Sequence, residues 1–284
     1  MLIKIQVHAA GVNRADILQL EGKYPSPDGN KTPGLEVSGI RMDTNEKVCA
    51  LLTSGGYSKM VEVDERHVFA FPSHMDFVEA AAIPEALVTT WLNLYKLGGI
   101  TRNSNVLIHG GASGVCSTMV QFACCDGKVV YTTSKNIDKL NYLKDTANCI
   151  RSTFKDFKEV ILENDKVDIV VDILGGKYFD DNLNVLNNAG KLILFAAMDG
   201  KFSEINVARI LMKNLTIIGS TLRNKTNDAK AELLNEAVRN LLPYVDQGKV
   251  KPVISKVFPL ENYKEAHEFI KSGESVGKVV LKVA

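Results

Sequence analysis

The stretch Asn105–Ser117, Asn-Val-Leu-Ile-His-Gly-Gly-Ala-Ser-Gly-Val-Cys-Ser, constrains the fold more than any other part of the chain. An apolar run, Val106 to Ile108, enters a small-residue turn at Gly110 to Gly114. A helical pattern carrying Met119, Val120, Phe122 and Ala123 follows. Strand, tight turn and helix start in this order suit a dinucleotide. Glycines let the backbone approach a pyrophosphate, and a helix N-terminus presents unpaired N–H groups. Against a G-x-G-x-x-G template Gly111 takes the first position, Ser113 the second and Cys116 the third. The spacing alone therefore suits a plain turn as well as a nucleotide site. A thiol at the third position also demands more room than hydrogen where helix meets sheet.

The flanking sequence extends this unit. Apolar runs at Val106–Ile108, Val129–Thr132, Val167–Ile173, Leu192–Ala196 and Leu215–Gly219 alternate with helical patterns. Strands covered by helices on both faces read as such near-continuous runs, so the spacing predicts an α/β doubly wound parallel sheet. Earlier, Ile3, Ile5, Val7 and Ala9 alternate with Lys4, Gln6 and His8, the pattern of a half-buried strand. Short strand candidates at Pro33–Ile40, Lys47–Leu52 and Tyr57–Val63 make this region a small β-rich domain. A helical pattern from Asp76 to Leu97 is interrupted at Pro84, and another runs from Asn227 to Asp246. The tail, a strand at Val253–Phe258, a helix at Asn262–Lys271 and a strand at Val279–Val283, returns to the first domain. The expected division is 1–98 with 250–284, and 99–249, as befits a chain of 284 residues.

Composition excludes several classes. The formal charge is +1, with basic residues dispersed, which gives no footprint for nucleic acid or an acidic membrane. No run approaches a membrane span. The five cysteines, 49, 116, 124, 125 and 149, contain no C-x-x-C pair and suit thiols in a reducing compartment, which predicts a cytoplasmic protein. Cys124 and Cys125 share a helix with apolar residues and read as core. Histidines 8, 67, 74, 109 and 267 are scattered, so no metal site is expected. His109, beside the glycine turn, is expected to pack at a strand end rather than act as a general acid.

The strand Val129–Thr132 ends in Thr133, Ser134, Lys135 and Asn136, with Lys139 one turn later. NAD binders place a carboxylate at such an edge to hold the ribose hydroxyls; here the edge favours NADPH. The competing reading of Lys135 and Lys139 is as solvated surface lysines.

Five ordered motifs then carry a resemblance: Asn13–Tyr24, Pro33–Gly39, Ala80–Ala86, Val106–Val115 and Gly219–Arg223, with Gly277–Leu281 at the end. They resemble the zinc-free, zeta-crystallin-type quinone oxidoreductases of the medium-chain dehydrogenase/reductase superfamily, most of all the tumour-suppressor-inducible branch. The resemblance implies a GroES-like catalytic domain joined to a Rossmann domain, NADPH as cofactor, a quinone as substrate, no metal and a homodimer. It implies Tyr24, Asn13 and Asp16 in the catalytic pocket. It also implies Thr89, Gly111, Ser113, Gly114, Val115, Lys139, Phe195, Ala196, Leu222, Arg223 and Lys278 at the cofactor. Zinc-dependent relatives carry a cysteine where Asn13 stands and a His-Glu pair where Leu35–Glu36 stands. Asp16 is equally readable as a structural carboxylate, and Tyr24 as a loop residue packed beside Pro25.

Departures from the pattern set further expectations. The chain starts about 25 to 30 residues into the family pattern, so the opening hairpin of the GroES-like domain is expected to be missing, leaving the first strand with an exposed edge. Cys116 replaces the last fingerprint glycine. Arg151–Ser152 stands where an Asn-Tyr pair usually follows the third Rossmann strand. Two other functions remain open: reduction of enones or enoyl thioesters, and cofactor binding with little turnover.

Overall fold

The computed structural model describes residues 1–146 and 148–283. Ala284, at the end of the expected returning tail, lies outside the described residues. The chain begins with β1 (Leu2–Val12), α1 (Arg14–Leu20), β2 (Glu36–Arg41), β3 (Lys47–Leu51), β4 (Met60–Asp64) and β5 (Val68–Ala70). Helices α2 (Phe77–Ala80) and α3 (Pro84–Thr90) follow, the latter running on into a π-helical stretch, Trp91–Leu97. Next come β6 (Asn105–Ile108), α4 (Cys116–Asp126), β7 (Val129–Ser134) and a 3-10 segment, Ile137–Leu143. Then come β8 (Cys149–Thr153), α5 (Phe157–Leu162), β9 (Val167–Asp172), α6 (Phe179–Val185), β10 (Leu186–Leu194), α7 (Val207–Lys213) and β11 (Thr216–Gly219). The last part supplies α8 (Asn227–Asp246), β12 (Ile254–Pro259), α9 (Tyr263–Lys271) and β13 (Lys278–Lys282).

Compactness divides the chain into two units. The first comprises Met1–Thr89, Ser113–Thr118 and the chain from Leu222 on; the second comprises Thr90–Ala112 and Met119–Thr221. Helix α8 and the first turn of α4 thus fall with the β-rich part.

In the first unit the sheet runs β12-β13-β1-β2-β3-β5, with β4 also paired to β1. The alternation at the start of β1 is realised: Ile3, Ile5 and Val7 are buried, and Leu2, Lys4 and Gln6 are exposed. The expectation of an exposed edge on this strand is corrected. β4 pairs with Leu2–Gln6, β2 with Ile5–Ala10 and β13 with Ala9–Val12, so β1 is occupied on both sides and lies inside the sheet. The sequence-distant β13 covers the side that sequence adjacency leaves open. The core of this unit joins Ile5, Val7, Val37, Val48 and Leu281.

In the second unit six parallel strands run β11-β10-β9-β6-β7-β8. Counted within this sheet the order is 3-2-1-4-5-6, read from β8, and the connection reverses between β6 and β9. Ligands of such sheets bind beyond the strand C-termini at that reversal, where β6 delivers the glycine turn. Burial is complete along β6, as its apolar run requires. Arg151 and Ser152 lie within β8, paired with Thr132 and Thr133, rather than after the strand.

Candidate functional site

The second unit contributes a turn whose shape is dictated by contacts. Gly110 has φ 73°, the left-handed region that glycine adopts without strain. A Cβ on Gly111 would stand 2.2 Å from Thr132 Oγ1, itself donating to Ile108 O at 2.9 Å, so only glycine fits. Gly111 N donates to Thr133 O, and Tyr142 Oη donates to Gly111 O at 2.6 Å.

Behind the turn lies a buried relay that the sequence does not reveal. Asp172, at the end of β9, accepts from Leu174 N, Gly175 N and Asn182 Nδ2. Asn182 Oδ1 therefore accepts from His109 Nε2–H, at 2.8 Å, which leaves Nδ1 to accept from Thr133 Oγ1 at 2.8 Å. Thr133 Oγ1 in turn receives Gly110 N at 3.4 Å. His109 has no exposed surface, and burial lowers its pKa, so the ring is neutral. It is a packed strand-end histidine that steadies the glycine turn, as the sequence suggests. The same unit holds Lys139, half-buried on the 3-10 segment, and Phe195 and Ala196, half-buried just past β10. Phe195 N donates to Asp172 O.

The first unit holds the larger group. Asn13 is buried ahead of α1, with both ends of its amide engaged: Nδ2 donates to Glu36 Oε1 at 2.8 Å, and Oδ1 accepts from Lys278 Nζ at 2.7 Å. Lys278 is also ion-paired to Glu36, and both side chains are buried. Glu36 Oε2 accepts from Glu85 N at 2.9 Å, and Glu85 Oε1 accepts from Thr89 Oγ1 at 3.1 Å. One ammonium thus serves a site with two glutamates. Loss of water, then repulsion from Glu36, pushes the Glu85 carboxyl up to about 7. Glu36 and Glu85 are the residues sequence reasoning missed; both stand inside quoted motifs, but the pairing with Lys278 spans most of the chain.

Asp16, expected near the reacting centre, has no exposed surface. Its carboxylate accepts from Asn13 N at 2.7 Å, Gly34 N at 2.9 Å and Tyr57 Oη at 3.3 Å. It caps the start of α1, since the Asn13 side chain is committed elsewhere, and it anchors the Pro33–Gly34 turn. Burial raises its pKa to about 6 against the lowering effect of the two backbone N–H groups. Tyr57 Oη also meets His267 Nε2 at 3.0 Å.

Tyr24 is half-buried, and its ring lies beneath the Arg223 guanidinium, 4.6 Å from centroid to Cζ. Arg223 is held by Gln19 Oε1 at 2.8 Å, Tyr24 O at 2.7 Å and Thr53 O at 3.3 Å. Leu222 precedes it, half-buried. Ser113, Gly114 and Val115 are half-buried at the start of α4, and Ser113 Oγ accepts from Cys116 N. Ser113 bridges to Gly277, and a Cβ on Gly114 would lie 3.0 Å from Lys278 Cδ, so this turn abuts the Asn13–Lys278–Glu36 group. Cys116 is buried, so the thiol has been accommodated within the packing. Within this unit the structure brings Asn13, Lys278, Ser113 and Gly114 together; Tyr24 and Arg223 form their own pair.

Among the described residues no group of three or more His, Cys, Asp or Glu side chains comes together as a metal site, and no helix is long and apolar enough to cross a membrane. A nicotinamide dinucleotide fits the residues present. The half-buried stretch Ser113, Gly114 and Val115, leading into the N-terminus of α4, is a backbone stretch of the kind that cradles phosphate.

Comparison with known proteins agrees. Residues 145–281 match the family model described as "Zinc-binding dehydrogenase". The chain is 28% identical to the zebrafish (Danio rerio) synaptic vesicle membrane protein VAT-1 homolog, covering 98% of this chain and 63% of that protein. It therefore spans less than two thirds of that relative's length. It is 28% identical to mouse (Mus musculus) quinone oxidoreductase, covering 98% of this chain and 88% of the relative. The solved quinone oxidoreductase of Thermus thermophilus, described with its NADPH complex, superposes with a TM-score of 0.86 at 25% identity, covering 99% of this chain and 91% of that one. By its two sheets, its glycine turn and these likenesses, the chain has the fold of the medium-chain dehydrogenases/reductases and is similar to the quinone oxidoreductases among them.

Proposed function

We propose that the chain is an NADPH-dependent quinone reductase. The observation that supports this reading is the buried Lys278–Asn13–Glu36 group, in which Asn13, standing where the resemblance gives zinc-dependent relatives a cysteine, is hydrogen-bonded to an ammonium and a carboxylate. A chemistry that needs only a bound hydride donor, an oriented acceptor and hydrogen bonds to the oxygen gaining charge suits that equipment.

When bound, the reduced nicotinamide supplies the hydride. Ser113, Gly114 and Val115 would hold the pyrophosphate through backbone N–H groups at the start of α4, and Gly111, whose own N–H is bonded to Thr133 O, would shape the turn that leads there. By the resemblance, Thr89, Leu222 and Lys278 of the first unit, and Phe195 and Ala196 of the second, are further cofactor-binding residues of their own units. Tyr24 hydrogen-bonds the quinone oxygen, its ring orientation set by the Arg223 guanidinium stacked on it. Asn13 positions Lys278 and in turn is positioned by Glu36. Asp16 acts through the helix it caps and not by contact.

Lys139 pairs with the 2′-phosphate. The end of β7 supports this, since Thr132, Thr133, Ser134 and Lys135 carry no acid, although Asp138 stands beside Lys139 on the 3-10 segment. NADPH and NADH titrations of the wild type and Lys139→Ala read that balance directly. Tighter NADPH binding that is lost in the variant, with NADH unaffected, supports the assignment; equal losses for both overturn it.

The same reading makes the protein a homodimer. β11 ends its sheet with Thr216, Ile217 and Gly219 exposed, and α7 exposes Leu211 and Met212 at 74% and 77%. An open sheet edge beside bare apolar side chains suits pairing with a second copy. Five cysteines outside any disulfide suit the cytoplasm.

A further inference from the structure

In the second unit the α4 thiols Cys124 and Cys125, expected in the core, are half-buried. Four polar side chains lie inside instead: Asp172, Asn182, His109 and Thr133 have no exposed surface. They form one file of hydrogen bonds across the C-terminal end of the sheet. Asn182, on α6, stands in the middle, donating from Nδ2 to Asp172 at 3.1 Å and accepting from His109 Nε2 on Oδ1 at 2.8 Å. At one end the file reaches the glycine turn, where Thr133 Oγ1 meets His109 Nδ1 at 2.8 Å and Gly110 N at 3.4 Å. At the other end Asp172 fixes the turn after β9 by accepting from Leu174 N at 2.6 Å and Gly175 N at 3.1 Å. That turn is locked in its own right to the loop after β10. Met198 N donates to Ile173 O, Asp199 N donates to Leu174 O, and Gly175 bridges to Gly200. A Cβ on Gly176 would stand 2.7 Å from Asp199 O, so the two segments are pressed together.

We propose that Asn182 is a positioning residue for NADPH: it holds the glycine turn in register with the loops after β9 and β10 and, having no exposed surface, does not touch the cofactor itself. This rests on the reading of the glycine turn as the NADPH site. The sheet order reverses between β6 and β9, so the two ends of the file flank the crevice in which a dinucleotide lies. The middle place suits a neutral amide. Asp172 accepts three hydrogen bonds through its carboxylate, and the neutral His109 ring presents its Nε2–H. The side chain between them must donate on one side and accept on the other, without a further charge to bury. Donation then runs one way, from Gly110 N through Thr133, His109 and Asn182 to Asp172, and hydrogen bonds aligned in this manner reinforce one another. Asp172 and His109 are the titratable groups in contact with Asn182. On the surrounding helices Lys158 pairs with Asp181, and Arg209 with Asp180.

NADPH binding is measured by calorimetric titration of the full chain, as wild type, Asn182→Asp, Thr133→Val and Thr133→Ser, between pH 5.5 and 8.5. When protonated, the new carboxyl donates to Asp172 and accepts from His109 as the amide does; when ionised, it sets a second negative charge against Asp172. The dissociation constant of Asn182→Asp is therefore expected to match that of the wild type at pH 5.5 and to exceed it about tenfold at pH 8.5. Thr133→Val, which leaves Gly110 N without this acceptor, is expected to weaken binding by a similar factor at every pH, and Thr133→Ser to restore it. In quinone turnover the loss appears in KM for NADPH, with kcat at saturating NADPH and KM for the quinone unchanged. A ratio of Asn182→Asp to wild type that does not change with pH, or wild-type affinity in Thr133→Val, overturns the proposal and leaves the NADPH reading standing. No NADPH binding by the wild type overturns both. Valine keeps the shape of Thr133 within β7, so the test survives if Asn182→Asp does not fold.

Discussion

Lys278 Nζ donates to Asn13 Oδ1 at 2.7 Å, joining residues 265 positions apart inside the first unit. Glu36 closes the triangle with both. A buried ion is tolerable only while paired, and the loss of one partner strands the other. Lys278→Met is expected to destabilise the protein by about 3–5 kcal/mol, measured by urea unfolding. The double variant Lys278→Met/Glu36→Gln is expected to recover more than half of that loss. Equal losses for single and double variants would show that the charge pairing is not what matters there.

The carboxyls around this group make stability depend on pH. Glu85, raised from 4.5 to about 7, and Asp16, raised from 3.8 to about 6, keep their protons longer in the folded state than in the unfolded state. Their contribution is complete below about pH 4 and is lost as pH rises through 6 to 7. His267 opposes them: its pKa is lowered to about 4, chiefly by burial, so its contribution grows from pH 4 to 6.5. Glu85→Gln keeps the acceptor for Thr89 Oγ1 and removes the titration. Its stability relative to the wild type is expected to improve by on the order of 1–3 kcal/mol between pH 4.5 and 8. A pH-independent difference would contradict the assignment.

Gly111 tests the turn. Gly111→Ala sets a methyl 2.2 Å from Thr132 Oγ1, where something must move. NADPH affinity is expected to fall at least tenfold, by calorimetric titration, and Thr132→Ala in the same chain is expected to restore part of it. No loss in the single variant would mean that the turn does not carry the pyrophosphate.

How much of this could be read from the sequence depended on range. The runs at 106–108 and 167–173 announced parallel strands because both faces are buried, and the polar–apolar alternation at 3–9 announced β1. β8 carries only half-buried residues apart from Ser152, so its hydrophobic signal is weak and it is absent from the apolar runs of the sequence. The place of β1 inside its sheet was not legible, because β13 reaches it from the far end of the chain. The same distance hid Glu36 as the partner of Lys278, and Glu85 as the carboxyl beside them. Asp172 and Asn182 belong to no motif of the sequence; only folding lines them up behind His109.

The exposed edge makes a prediction about assembly. Light scattering is expected to give twice the chain mass of 31.1 kDa for the wild type and the single-chain value for Leu211→Glu/Met212→Glu. A monomeric wild type would remove the homodimer from the account.

The most direct test of the central claim is anaerobic NADPH oxidation followed by absorbance of the reduced nicotinamide with ortho- and para-quinones, with enoyl thioesters as competing acceptors. The account predicts quinone-dependent oxidation of NADPH, at least tenfold faster than of NADH and faster than with any enoyl thioester. Tight NADPH binding with no oxidation by any quinone, or faster turnover of enoyl thioesters, would contradict it.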